Sequence, residues 1–126
     1  QQALQTAGIA PSAVDYINAH GTATENNDLS EGIGIQKLFG EHVPYFSSTK
    51  PYTGHTLAAA GSIEAVYSMM ALQHQMVWPN LNYVHQMPEL RISPARDLVQ
   101  DIPLKNILSN SFGFGGNTSS LLIGSV

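Results

Sequence analysis

The sequence contains no cysteine, so it holds no disulfide, no thiolate metal site and no thiol nucleophile of its own. Charge is scarce too. Charged residues make up 11% of the chain, with five Lys plus Arg, none clustered, and a net charge of −4. That leaves no basic face to neutralise phosphates and excludes a nucleic-acid footprint. No stretch approaches the roughly 18 consecutive apolar residues that a membrane span requires, and no signal peptide opens the sequence. These absences read as a soluble, cytoplasmic protein. Internal repeats, low-complexity tracts and interdomain linkers are missing as well, so residues 1–126 read as a single domain, and 43% hydrophobic residues suffice to bury a core.

What is present alternates between helical and extended patterns. Gln1 to Ala7 has helix-forming residues, no N-cap residue and a glycine stop at Gly8, which reads as the end of a helix from a longer protein. Ala13 to Ala19 reads as a buried strand, followed by a polar loop through Asn27. Leu29, Ile33, Ile35, Leu38 and Phe39 give the apolar face of a helix closed by Gly40, with Asp28, Ser30 and Glu31 near its positive end. Val43 to Thr49 is a second strand. Thr56 to Gln75 is a long helix, apolar on most sides and therefore buried. Val77 to Asn82 is extended and broken by Pro79, and Pro88 to Pro103 reads as loop. Lys105 to Ser111 and Ser119 to Val126 form a terminal antiparallel pair around a glycine-rich turn. The order predicts a layered α/β domain.

Three segments carry the chemistry. Asn18-Ala19-His20-Gly21-Thr22-Ala23-Thr24 and Lys50-Pro51-Tyr52-Thr53-Gly54-His55-Thr56 each set an imidazole beside glycine and hydroxyl residues where a strand gives way to a loop. Asn110-Ser111-Phe112-Gly113-Phe114-Gly115-Gly116-Asn117 supplies a flexible aromatic loop. His42, His74 and His85 lie outside these segments and read as structural or solvent-facing. No histidine pair has the three-to-five-residue spacing of a local zinc motif, so no metal is assigned.

At these segments, with Leu57-Ala58-Ala59-Ala60-Gly61 after His55, the sequence resembles the C-terminal half of the β-ketoacyl-acyl-carrier-protein synthases nearly end to end. The resemblance implies a thiolase-like α/β/α fold with a mixed sheet, truncated here at its N-terminus. In that fold two similar halves pack together, and the nucleophilic cysteine comes from the first half. It also implies an acyltransferase of fatty-acid or polyketide synthesis. Such an enzyme binds no cofactor of its own and works on the phosphopantetheine arm of an acyl carrier protein. The parent is expected to be a homodimer. Two other readings stay open: a non-catalytic, chain-length-determining partner subunit, or a thiolase or initiating synthase. Retention of both histidines speaks against the first. The absence of cysteine and the identity of His55 speak against the second.

Decarboxylative condensation places negative charge on a thioester oxygen, which calls for neutral donors aimed at that oxygen. His20 and His55 are the expected pair, each donating from a neutral ring. A position just ahead of a long helix helps to keep His55 uncharged. The resemblance puts Lys50, read as the last residue of its strand, in the active site, with Glu64 on the long helix as its carboxylate partner, because a carboxylate in so apolar a segment needs one. Asp28 and Glu31 match acidic positions of the family and read equally well as charges stabilising a helix dipole. Thr22 and Thr24 suit the amides of the phosphopantetheine arm, or else bond local backbone. Phe114, between two glycines, is expected to gate the acyl pocket, with a core phenylalanine as the alternative that fits Phe112 better. The family reads Thr-Asn where this chain has Asn117-Thr118, and the loop Glu25-Asn26-Asn27 is more polar than is usual, so substrate preference is where a difference is expected.

Overall fold

The computed structural model describes residues 1–125. Four strands form a mixed sheet in the order β2-β1-β3-β4. β1 (Tyr16–Asn18) pairs in parallel with β2 (Tyr45–Ser47) and with β3 (Asn106–Phe112), while β3 pairs antiparallel with β4 (Thr118–Gly124). Helix α1 (Gln2–Ala7) ends at Gly8, whose left-handed backbone lets its N–H reach back to the last carbonyls. Helices α2 (Glu25–Phe39), α3 (Lys50–Thr53) and α4 (Ala60–His74) follow the first two strands.

Side chains alternate across a strand, and this divides the core in two. Ile17 of β1 and Leu108 of β3 pack with Leu4, Val14 and Ile35 beneath α1 and α2. Their neighbours Tyr16 and Ile107 point to the other face and pack with Ala71, Val77 and Leu104 beneath α4. The sheet is thus sandwiched between helices, the α/β/α layering expected from the sequence, and the terminal strands form the expected antiparallel pair. Val126, placed at the end of that pair by the sequence, lies outside the described residues.

The structure corrects the boundaries of several elements. Strands β1 and β2 have three residues each. Pro11–Ala13 form a 3-10 turn that uses up the start of the first expected strand. Helix α2 begins at Glu25, not after Asn27, because Glu25 and Asp28 in its first turn favour the positive end of the dipole and the polarity that reads as loop is that of a solvated helix start. Glu31 is then the seventh residue of the helix, too deep to act as an N-terminal charge. Lys50 does not end a strand; it opens α3, where Pro51 suits a first helical turn. The long helix starts at Ala60, after a 3-10 turn at Leu57–Ala59, and ends at His74.

Helix α4 carries the apolar surface that the sequence is expected to uncover when the other half of the fold is absent. It meets the sheet through Ala60, Glu64, Ser68 and Ala71, a narrow stripe of small and polar residues, while Val66, Met69 and Met70 are exposed on its far side.

Candidate active site

Parallel strands end at the same pole of a sheet, and residues just past those ends become neighbours. Asn18 stands opposite Ser47 on β2 and Ser109 on β3. His20, two residues beyond Asn18, and Lys50, three beyond Ser47, therefore leave the sheet side by side, with Asn110 next to them on β3. All three are buried. The Lys50 Nζ lies 3.2 Å from His20 Nδ1, donates to the His20 carbonyl, and forms an ion pair with Glu64 Oε1 on the inner face of α4. The other Glu64 oxygen is buried without a hydrogen-bond partner among the described residues.

His55 arrives from the loop between α3 and α4. Its ring stands edge-on to that of His20, with centroids 5.5 Å apart and an interplanar angle of 87°. Leu57 donates its backbone N–H to His55 Nδ1 at 3.1 Å. An ammonium at His20 Nδ1 and an amide N–H at His55 Nδ1 demand an acceptor nitrogen in each ring, which leaves the proton on Nε2 of both. Burial, then the Lys50 charge and His55, push the His20 pKa down to about 4. His20 is therefore neutral at physiological pH.

Glu31 holds the His20 loop from below. Its Oε1 accepts the His20 backbone N–H and its Oε2 that of Gly21, each at 3.0 Å. Asn110 Nδ2 donates to Oε1 at 3.1 Å. Burial pushes the Glu31 carboxyl above its ordinary range, and these three donors pull against it. Gly21 has φ of +43° and leaves room for Ser48: a Cβ there would lie 2.6 Å from the Ser48 Cβ. Ser48 in turn donates to the Gly21 carbonyl at 3.2 Å.

His20 and His55 open onto a cavity of about 680 Å³ bordered by Gly61, Ser111, Phe112, Gly113 and Asn117. Phe112 packs on His20 with ring centroids 5.4 Å apart, so it is a wall of the site. Phe114 is fully exposed in this chain. Thr22 and Thr24 bond one another at 2.9 Å on the exposed loop. Asp28 borders a separate cavity of about 190 Å³ behind Gly21. Asp28 also accepts from the Asn27 side chain. His42, His74 and His85 are exposed, and His85 borders the cavity behind Gly21. No group of three or more His, Cys, Asp or Glu among the described residues could hold a metal.

Two asparagines given no role by the sequence reading are built into the site. Asn18 is fully buried and donates to the Glu64 carbonyl and to Ser68, at 3.1 and 3.3 Å, tying α4 to β1. Asn110 braces Glu31. A polar residue inside a buried apolar strand was the available signal for Asn18, since such a group must find partners.

The beta-ketoacyl synthase C-terminal domain matches residues 1–84. The chain belongs to this family. It is 40% identical over 124 residues to 3-oxoacyl-[acyl-carrier-protein] synthase 2 of Staphylococcus aureus strain COL, a match covering 97% of this chain and 30% of that protein. The enzyme of the same name from Coxiella burnetii is 39% identical over 128 residues, covering 100% of this chain and 31% of the relative. Among solved structures, a type II PKS acyl-carrier protein in complex with its ketosynthase bound to the hexaketide matches with a TM-score of 0.92 and 36% identity, over 99% of this chain and 31% of that one. A ketosynthase in complex with its chain length factor from Xenorhabdus doucetiae matches with a TM-score of 0.88 and 39% identity, over 98% of this chain and 31% of that one. The chain thus spans about 30% of the length of the relatives it matches, and the fold is that of the ketosynthases.

Proposed function

We propose that this chain contributes the decarboxylating half of a condensing site, and that the parent enzyme joins malonyl-acyl-carrier protein to an enzyme-bound acyl thioester. The observation that carries this reading is the pair of facing imidazoles whose Nδ1 atoms both accept hydrogen bonds, leaving two neutral Nε2–H donors beside one cavity. When the malonyl carboxylate leaves as carbon dioxide, the electrons of the broken C–C bond pass into the thioester and place negative charge on its oxygen. Two preorganised N–H donors stabilise that charge. The enolate carbon then attacks the acyl carbonyl and displaces the enzyme thiolate that held the acyl group, leaving the product on the carrier protein; that thiolate must belong to a part of the parent outside these residues, because the chain has no cysteine.

Lys50 and Glu64 act beneath this pair. The ammonium fixes the His20 tautomer and, with burial, keeps the ring uncharged. Thr22 and Thr24 are assigned to the phosphopantetheine arm of the carrier protein, supported by their exposed hydroxyls. Phe114 is assigned to the acyl gate, supported by its exposure between Gly113 and Gly115. No cofactor is bound by the protein itself. The partners of this reading are an acyl carrier protein, the remaining half of the same enzyme and a second copy in a homodimer, in the cytoplasm. The isolated chain is expected not to condense.

In the full-length parent, His20→Ala and His55→Ala should each suppress release of carbon dioxide from malonyl carrier protein while acyl transfer to the cysteine is less affected. Equal loss of both partial reactions in both variants would overturn the assignment, as would full decarboxylation by both, and absence of either reaction in the unsubstituted parent would favour the non-catalytic partner reading.

A further inference from the structure

A continuous hydrogen-bonded path runs from the outermost strand to the backbone of His20. Ser120 of β4 donates its hydroxyl to Asn110 Oδ1 at 2.7 Å. The Asn110 amide nitrogen donates to Glu31 Oε1 at 3.1 Å. The same oxygen receives the His20 N–H, and the other the Gly21 N–H. The direction of every link is fixed by chemistry: a carboxylate only accepts, so the amide must turn its nitrogen to Glu31, and its oxygen is left needing the Ser120 hydroxyl. Asn110 and Ser120 face each other across β3 and β4, the strands that bracket the Gly113–Asn117 loop at the mouth of the cavity.

We propose that Asn110 and Ser120 are positioning residues for the reaction, holding Glu31 in the rotamer that aims the His20 ring. Neither touches the cavity through the chain that links it to His20, so their effect reaches the reacting atoms only through Glu31. Networks of this kind lose more than one bond when a member is removed, because the partner left behind is buried and must find a new orientation. Without the Ser120 hydroxyl the Asn110 amide is free to rotate, one donor to Glu31 loosens, and the His20 backbone shifts. A shift well below 1 Å at a group that must meet a developing charge is enough to slow the step.

This inference rests on the decarboxylating role of His20, and the test separates the two. In the full-length enzyme, Ser120→Thr keeps the hydroxyl and Ser120→Val has the same shape without it, so packing cancels between them. Ser120→Val should lower kcat for malonyl decarboxylation roughly tenfold relative to Ser120→Thr, with KM for the malonyl substrate and the rate of acyl transfer to the cysteine nearly unchanged. His20→Ala, measured alongside, reports on the site reading itself. Equal decarboxylation by the threonine and valine variants, with His20→Ala inactive, overturns the relay alone. Equal loss of decarboxylation and acyl transfer in the valine variant overturns it too, since that is the mark of a merely structural role. Full decarboxylation by His20→Ala overturns the site reading and the relay with it. If Ser120→Thr does not fold, Ser120→Ala against the unsubstituted enzyme carries the same comparison, with a thermal melt to check folding.

Discussion

The loop carrying His20 and the loop carrying Phe114 meet the same cavity, one leaving β1 and the other joining β3 to β4. In the first, His20 is buried, its backbone N–H and that of Gly21 end on Glu31, and its ring nitrogen faces Lys50. In the second, the Gly113 N–H closes on the Asn117 carbonyl at 2.7 Å, Gly115 and Gly116 take positive φ angles, and Phe114 is fully exposed. A fixed imidazole and a free phenyl ring suit different tasks: stabilising a charge at one point, and admitting chains of varied length. The difference teaches where rigidity is built, namely into the groups that must not reorganise as charge develops.

The comparison breaks most severely at the buried ion pair. Lys50→Ala leaves Glu64, 3% exposed and already short of one hydrogen bond, as an isolated carboxylate. Loss of about 3–5 kcal/mol is expected in urea unfolding of the parent. The double variant Lys50→Met/Glu64→Leu should recover most of that stability and none of the decarboxylation. If Lys50→Ala proved as stable as the parent, the pair would not be the foundation of the fixed loop.

Paired glycine substitutions measure the two loops directly. At Gly21 a methyl group must enter at 2.6 Å from the Ser48 Cβ with φ of +43°, whereas at Gly115, with φ of +79°, nothing lies within 4 Å. Overpacking and left-handed strain together put Gly21→Ala at about 2–4 kcal/mol, against about 1 kcal/mol for Gly115→Ala from strain alone. Equal costs would mean that the His20 loop can relax as freely as its counterpart.

The sequence displayed much of this division. His20, His55 and Phe114 stood out because each sits beside glycine at a change of pattern, whereas Lys50 and its pairing with Glu64 came from the resemblance to the family, supported by a carboxylate in an apolar helix that needs a partner. A layered α/β domain was legible from the order of helical and extended patterns, and its α/β/α form from the resemblance to the family. Element ends were not: the polar residues Glu25 to Asn27 read as loop because a helix start is itself solvated and hydrogen-bond-poor. The partnerships of Glu31 with His20 and Asn110 were invisible for another reason. They join residues 11 and 79 apart, and only the parallel register of β1 with β3 brings them together.

The pH response sharpens the electrostatic side of the comparison. The His20 pKa, lowered first by burial and then by Lys50, falls to about 4 from 6.5. A histidine with a depressed folded pKa contributes stability above its unfolded value and loses it as pH falls through the interval down to the folded one. The parent should therefore weaken progressively between about pH 6.5 and 4 for this reason. Below about 4 a proton on Nδ1 would oppose the Lys50 ammonium, and decarboxylation should drop about tenfold per pH unit. An activity midpoint near pH 6.5 would show that His20 is solvated in the working enzyme.

The smallest effect on the fold is expected at Phe114. Its side chain touches too little to stabilise the chain, so Phe114→Ala should leave the melting temperature of the parent unchanged. On the proposed gating role its consequence belongs to substrate handling. A ring flanked by glycines can swing at low cost, and on the proposed gating role its removal leaves the cavity mouth open. Acyl transfer from long and short acyl donors should then converge in rate, while decarboxylation by the imidazole pair continues. The measurement is the ratio of kcat/KM for two donors of different length, before and after substitution. An unchanged ratio with a lowered decarboxylation rate would place Phe114 with His20 in the fixed part of the site, and the division between the two loops would fail at its weakest point.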